Sequence, residues 1–164
     1  MQIALLFANK EYEEEININL KSFHVKKFID GNPKKILEDE KLWNYGANDF
    51  ILIHYSGHGT KIGRKKGICS SWLSSGNIIS SDEIDEILSK CKCKIVLSSD
   101  SCNSGYFGKY FTGKSPLICI LSSITFLTYP NQERIFPLIS SFSKFSDFLD
   151  FSQFIVKKFN IKNK

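Results

Sequence analysis

Two short strings in this chain set reactive groups among small residues. Tyr55-Ser56-Gly57-His58-Gly59 places an imidazole between two glycines, and Ser98-Ser99-Asp100-Ser101-Cys102-Asn103-Ser104-Gly105 places a thiol among small polar residues. A free cysteine is only a few per cent thiolate at neutral pH, and an imidazole within reach takes its proton or stabilises the anion. The spacing therefore makes His58 the candidate base and Cys102 the candidate nucleophile. The backbone amides of Gly59 and Cys102 are the candidate oxyanion donors, each worth roughly 3 kcal/mol when well aimed. Either string alone is weak, since cysteine is among the most buried residue types. Their joint appearance after two apolar runs gives them weight.

For the two groups to meet, the elements that carry them must be neighbours. Four apolar runs stand out, Ile3–Phe7, Phe50–Tyr55, Ile95–Leu97 and Leu117–Leu121, and a fifth, Ser22–Phe28, alternates. Near-continuous apolar runs fit strands of a parallel sheet with helices on both faces. Between them, Asn32-Pro33 opens a helical stretch, with proline well placed in the first turn. Ser80-Ser81-Asp82-Glu83 is a capping-box signature followed by Ile84, Ile87 and Leu88 at helical spacing. A last helix is expected over 147–159, with Phe148, Phe151, Ile155 and Phe159 on one stripe. Strands alternating with helices predict an α/β three-layer sandwich around a mostly parallel sheet of five to six strands.

In this reading the third strand breaks after Tyr55 and the fourth runs out into the loop 98–105. Both loops then lie beyond the carboxyl ends of adjacent strands, where open α/β sheets bind ligands. The first crossover, Asn9 to Lys21 with its run Glu13-Glu14-Glu15, is short and reads as a stub of helix or an extended loop. Residues 60–79 read as a basic loop, and 135–142 as strand or helix, with Pro137 opposing a central strand. His54 is expected to be buried and structural, and His24 to face solvent.

At 164 residues the chain is expected to form one domain over 1–164, with 160–164 as a polar tail. Its net charge of +5 is dispersed, and Lys61, Arg64, Lys65 and Lys66 form too small a cluster to imply a nucleic-acid partner. The stretch Ile3–Ala8 is short for a signal-peptide core, and no segment has the ~20 apolar residues of a membrane span. Five cysteines without a regular framework imply reduced thiols and a cytoplasmic location. Cys91 and Cys93 lack further ligands at zinc spacing, so they are expected to pack rather than to bind metal.

The strings Tyr55–Gly59 and Asp100–Gly105 resemble the two catalytic signatures of the metacaspases, relatives of the caspases. The strand–helix order from Phe23 to Ser123 resembles that family too, and the 44-residue interval from His58 to Cys102 is close to the roughly 50 of caspases. The resemblance implies a caspase-like fold and a cysteine endopeptidase whose dyad is Cys102 and His58, cutting peptide or protein substrates after Arg or Lys. It assigns the basic pocket to Asp100 and Ser56, a charge-assisted site for a guanidinium. The family's calcium positions fall here on Ser81-Asp82-Glu83 and Lys109, and no carboxylate lies between Thr60 and Ser81. No cofactor, metal or calcium dependence is therefore expected. A monomer is compatible with this reading. The alternative is a catalytically idle homologue acting as a binding or scaffold protein.

Overall fold

The computed structural model describes residues 1–64, 67–101, 118–122 and 136–151. Five parallel strands form the body of one sheet, in the order β2 (His24–Ile29), β1 (Gln2–Ala8), β3 (Phe50–Arg64), β6 (Lys94–Ser101) and β7 (Ile118–Ser122). The far half of β3 pairs antiparallel with β4 (Gly67–Ser74), which pairs antiparallel with β5 (Asn77–Ser80). The described sheet is thus mixed and seven-stranded, where a mostly parallel sheet of five to six strands was expected.

The apolar runs become strands because both faces of the sheet are covered. One face carries Ile3, Leu5, Phe7, Ile51, Ile53, Ile95 and Leu97. It packs against Leu37 of α1 (Pro33–Asp39) and Ile84, Ile87 and Leu88 of α2 (Ser81–Leu88). The other face carries Ala4, Leu6, Leu52 and Val96 and packs against Ile16, Leu20, Phe136, Ile139 and Phe148. Continuous apolar sequence is what a strand needs when neither face meets water. The outer strand β2 shows the converse: His24 and Lys27 are exposed, as its alternation predicts.

The caps are those that the sequence announces. Asn32 Oδ1 accepts the Lys35 N–H at 3.4 Å with Pro33 in the first turn, and the capping box of Ser80 and Glu83 opens α2. The first crossover is a 3-10 helix, Lys10–Ile16, which settles the open choice there in favour of a helical stub. Residues 136–139 form the short helix α3 (Phe136–Ile139), and the last helix begins at 145 and is described to 151.

Two expectations need correction. The third strand does not break at Tyr55 but continues through Ser56-Gly57-His58-Gly59 to Arg64. The segment read as a basic loop is the β4–β5 hairpin. Its partner strand supplies the hydrogen bonds that let the glycine-rich string stay extended, a contact with no local signature. The hairpin turn did have one: Ser75 and Gly76 both take positive φ, 49° and 79°, the geometry of a two-residue primed turn for which glycine is suited.

Among the parallel strands the chain leaves β1 through the 3-10 helix on one face and leaves β3 toward α2 on the other. The order of connections therefore reverses between β1 and β3, and a crevice is expected beyond their carboxyl ends. Asn9 and His58 lie there.

Candidate functional site

Parallel pairing brings the two sequence strings side by side. Tyr55 pairs with Ser99, Ser56 with Asp100 and Gly57 with Ser101. Cys102, the next residue after Ser101, lies outside the described residues, as do Asn103, Ser104 and Gly105. His58 is described, and its surroundings are built mainly by the first crossover.

Asn9, directly after β1, is the hub. Its own N–H bonds Ser56 O at 3.1 Å, extending the β1–β3 pairing by one step. Its Oδ1 accepts the His58 N–H at 2.9 Å and lies 2.9 Å from the Tyr55 hydroxyl, while its Nδ2 donates to Leu73 O at 3.2 Å. Gly57 makes room for this amide: a Cβ at that position would stand 1.7 Å from Asn9 Oδ1 and 2.8 Å from the Tyr55 hydroxyl. The glycine before the histidine thus serves a close side-chain approach from β1.

The Tyr55 hydroxyl also lies 2.6 Å from His58 O and 2.8 Å from Leu73 O. With one proton it donates to one of these oxygens at a time. Burial pushes this phenol far above its ordinary value, so it stays a donor. Its ring stacks on Trp72 at 4.7 Å, and Trp72 Nε1 donates to Ser99 Oγ at 3.0 Å. Together these contacts tie β3, β4 and β6 behind His58.

The imidazole itself projects from this frame and is about half exposed, 46%. Its Nε2 meets Glu11 Oε1 in a short hydrogen bond, and the Tyr12 ring meets it edge-on at 5.6 Å between centroids. Gly59, the candidate oxyanion donor, lies opposite Trp72 within β3.

Asp100 and Ser56 are neighbours in the register, and both are fully buried. Asp100 Oδ2 accepts the Phe136 N–H at 3.0 Å. Ser56 Oγ lies 2.7 Å from His54 Nε2, and His54 Nδ1 lies 2.9 Å from Ser98 Oγ. The Phe136 ring stacks flat on the His54 ring at 4.0 Å. His54 is thus the buried structural histidine expected of it. Cys93 belongs to the core and Cys91 packs against it. Among the described residues no three His, Cys, Asp or Glu side chains are gathered so as to hold a metal ion, and no helix is long and apolar enough to cross a membrane.

Sequence reasoning passed over Asn9, Glu11, Tyr12 and Trp72. A shortened, polar crossover directly after a strand, at the point where strand order reverses, is the signal that would have singled out the first three.

No family model matches the chain. A metacaspase of Arabidopsis thaliana, metacaspase-8, is 37% identical over 71 residues, covering 36% of this chain and 18% of that protein. The chain therefore matches less than a fifth of that relative's length, and the likeness supports a metacaspase-type relationship over part of the chain. Among solved structures, the protein GSU0716 of Geobacter sulfurreducens superposes with a TM-score of 0.48 at 18% identity, covering 62% of this chain and 50% of that one.

Proposed function

We propose that the chain is a caspase-like cysteine endopeptidase of the metacaspase type, in which Cys102 attacks the scissile carbonyl and His58 takes its proton. The observation that carries this reading is the register Ser56 with Asp100 and Gly57 with Ser101, which makes His58 and Cys102 the next residues along two adjacent strands. The partial likeness to a metacaspase supports it. In this mechanism the thiolate adds to the carbonyl carbon, and the oxyanion is met by the amides of Gly59 and Cys102. His58 returns its proton to the leaving amine, and water then releases the acyl group from sulfur.

Specificity for Arg or Lys would rest on Asp100 with Ser56. Because Asp100 is buried and holds the Phe136 N–H, a guanidinium reaches it only when α3 gives way. The same closure favours the second reading, an idle homologue that binds other proteins.

Fluorogenic peptides ending in Arg, Lys or Asp, assayed with the wild type and with Cys102→Ala and His58→Ala, separate the readings. Cleavage after Arg and Lys, lost in both variants, is the expected result. A well-folded wild type inactive on every peptide would leave the idle homologue standing, and cleavage after Asp alone would refute the metacaspase assignment.

A further inference from the structure

We infer that Glu11 is a positioning residue for His58, so that the catalytic group is Cys102, His58 and a carboxylate rather than a dyad. The inference rests on the peptidase reading and adds a member that neither sequence string contains. Three residues of one crossover grip the histidine at three places: Asn9 Oδ1 takes its backbone N–H, Glu11 Oε1 takes Nε2, and Tyr12 lies edge-on to its ring. The neighbouring cation does not compete for Glu11, since Lys10 Nζ pairs with Glu13 Oε2 at 2.5 Å. The grip is built by topology, because the crossover leaves β1 at Asn9, hydrogen-bonded to Ser56 two residues before the histidine.

The chemistry follows from the two ring nitrogens. When Nε2 donates to a carboxylate, Nδ1 is the acceptor of the neutral ring. The thiol proton of Cys102 then passes to Nδ1, leaving a thiolate and an imidazolium whose Nε2–H remains on Glu11. Glu11 keeps its charge throughout and is never protonated, as befits a group that orients the base and stabilises its charged form. Both side chains are partly exposed, 46% for His58 and 64% for Glu11, so solvent moderates the effect.

The test is the rate at which iodoacetamide alkylates Cys102, followed on the Cys102 peptide by mass spectrometry, alongside kcat and KM for an Arg peptide. Glu11→Gln keeps the shape and removes the charge, and it is expected to slow alkylation and lower kcat by about three- to tenfold with KM unchanged. Glu11→Asp should recover part of the loss, and Glu14→Gln, on the same helix, should match the wild type. His58→Ala should be slower than any of them. If Glu11→Gln and Glu11→Ala react at the wild-type rate while His58→Ala is slow, Glu11 has no such role and the dyad stands. Equal losses in Glu11→Gln and Glu14→Gln would mark a general charge effect and also overturn it. If His58→Ala leaves alkylation of Cys102 unchanged, the peptidase reading falls, and the role of Glu11 with it.

Discussion

Asn9 and Gly57 form a matched pair, and neither works without the other. The amide of Asn9 occupies space that any side chain at position 57 would need, and from there it orders the His58 backbone and the Tyr55 hydroxyl. Gly57→Ala forces Asn9 out and strands the His58 N–H. Overpacking and a lost buried hydrogen bond together should cost about 2 to 3 kcal/mol, seen as a lower midpoint in urea with an unchanged slope. Under the proposed function, activity should fall further than stability alone explains, because the base is displaced as well. A variant as stable as the wild type would mean that Asn9 has another resting place of equal energy.

The elements around the site are joined by a few polar contacts whose strength depends on pH. Lys34 of α1 pairs with Glu83 of α2 at 2.9 Å, and Glu83 Oε1 also accepts from the Ser80 hydroxyl at 3.0 Å. Burial pushes the Glu83 carboxyl up, but the hydrogen bonds from Lys34 and Ser80 outweigh it and hold the group below its ordinary value. A carboxyl depressed on folding adds stability above its unfolded pKa, about 4.3, and loses that contribution as pH falls through the folded value. Glu83→Gln should therefore lower stability at pH 7 by less than about 1 kcal/mol, since the pair is near the surface. The gap between variant and wild type should close as the buffer is taken below pH ~4. Chemical denaturation at pH 7 and pH 3.5 reads this directly, and a gap of equal size at both would assign the effect to capping geometry alone.

At the scale of the whole molecule, the sheet is gripped by two layers, and Asp100 is where one of them meets the candidate pocket. Its carboxylate holds the first N–H of α3 while Phe136 lies over His54, so the C-terminal layer closes on the buried polar row His54, Ser56, Ser98 and Asp100. Asp100→Asn keeps an oxygen for the Phe136 N–H, so the fold should persist with near-wild-type melting. It removes the charge that a guanidinium would pair with, at a cost of roughly 2 to 5 kcal/mol in transition-state binding if that pair is desolvated. Assays on Arg and Lys peptides with this variant decide the point: unchanged kcat/KM would remove Asp100 from the pocket, whatever its structural role.

The sequence by itself determined the features that are local in the chain. Ile3–Phe7, Phe50–Tyr55 and Ile95–Leu97 announced the central strands because strands buried on both faces need uninterrupted apolar residues. The helix starts at Asn32 and Ser80 were equally legible, since a cap is made within four residues. The two candidate strings were visible as types and spacing, and the parallel pairing of β3 with β6 followed from alternation of strand and helix. Only the tertiary structure decided what surrounds them. Glu11 and His58 are 47 residues apart in sequence, and Asp100 and Phe136 are 36 apart. The β4–β5 hairpin keeps the His58 string extended through hydrogen bonds from another strand. Such contacts are fixed by which strands are neighbours and by the face on which each crossover passes, and no run of a dozen residues carries that information.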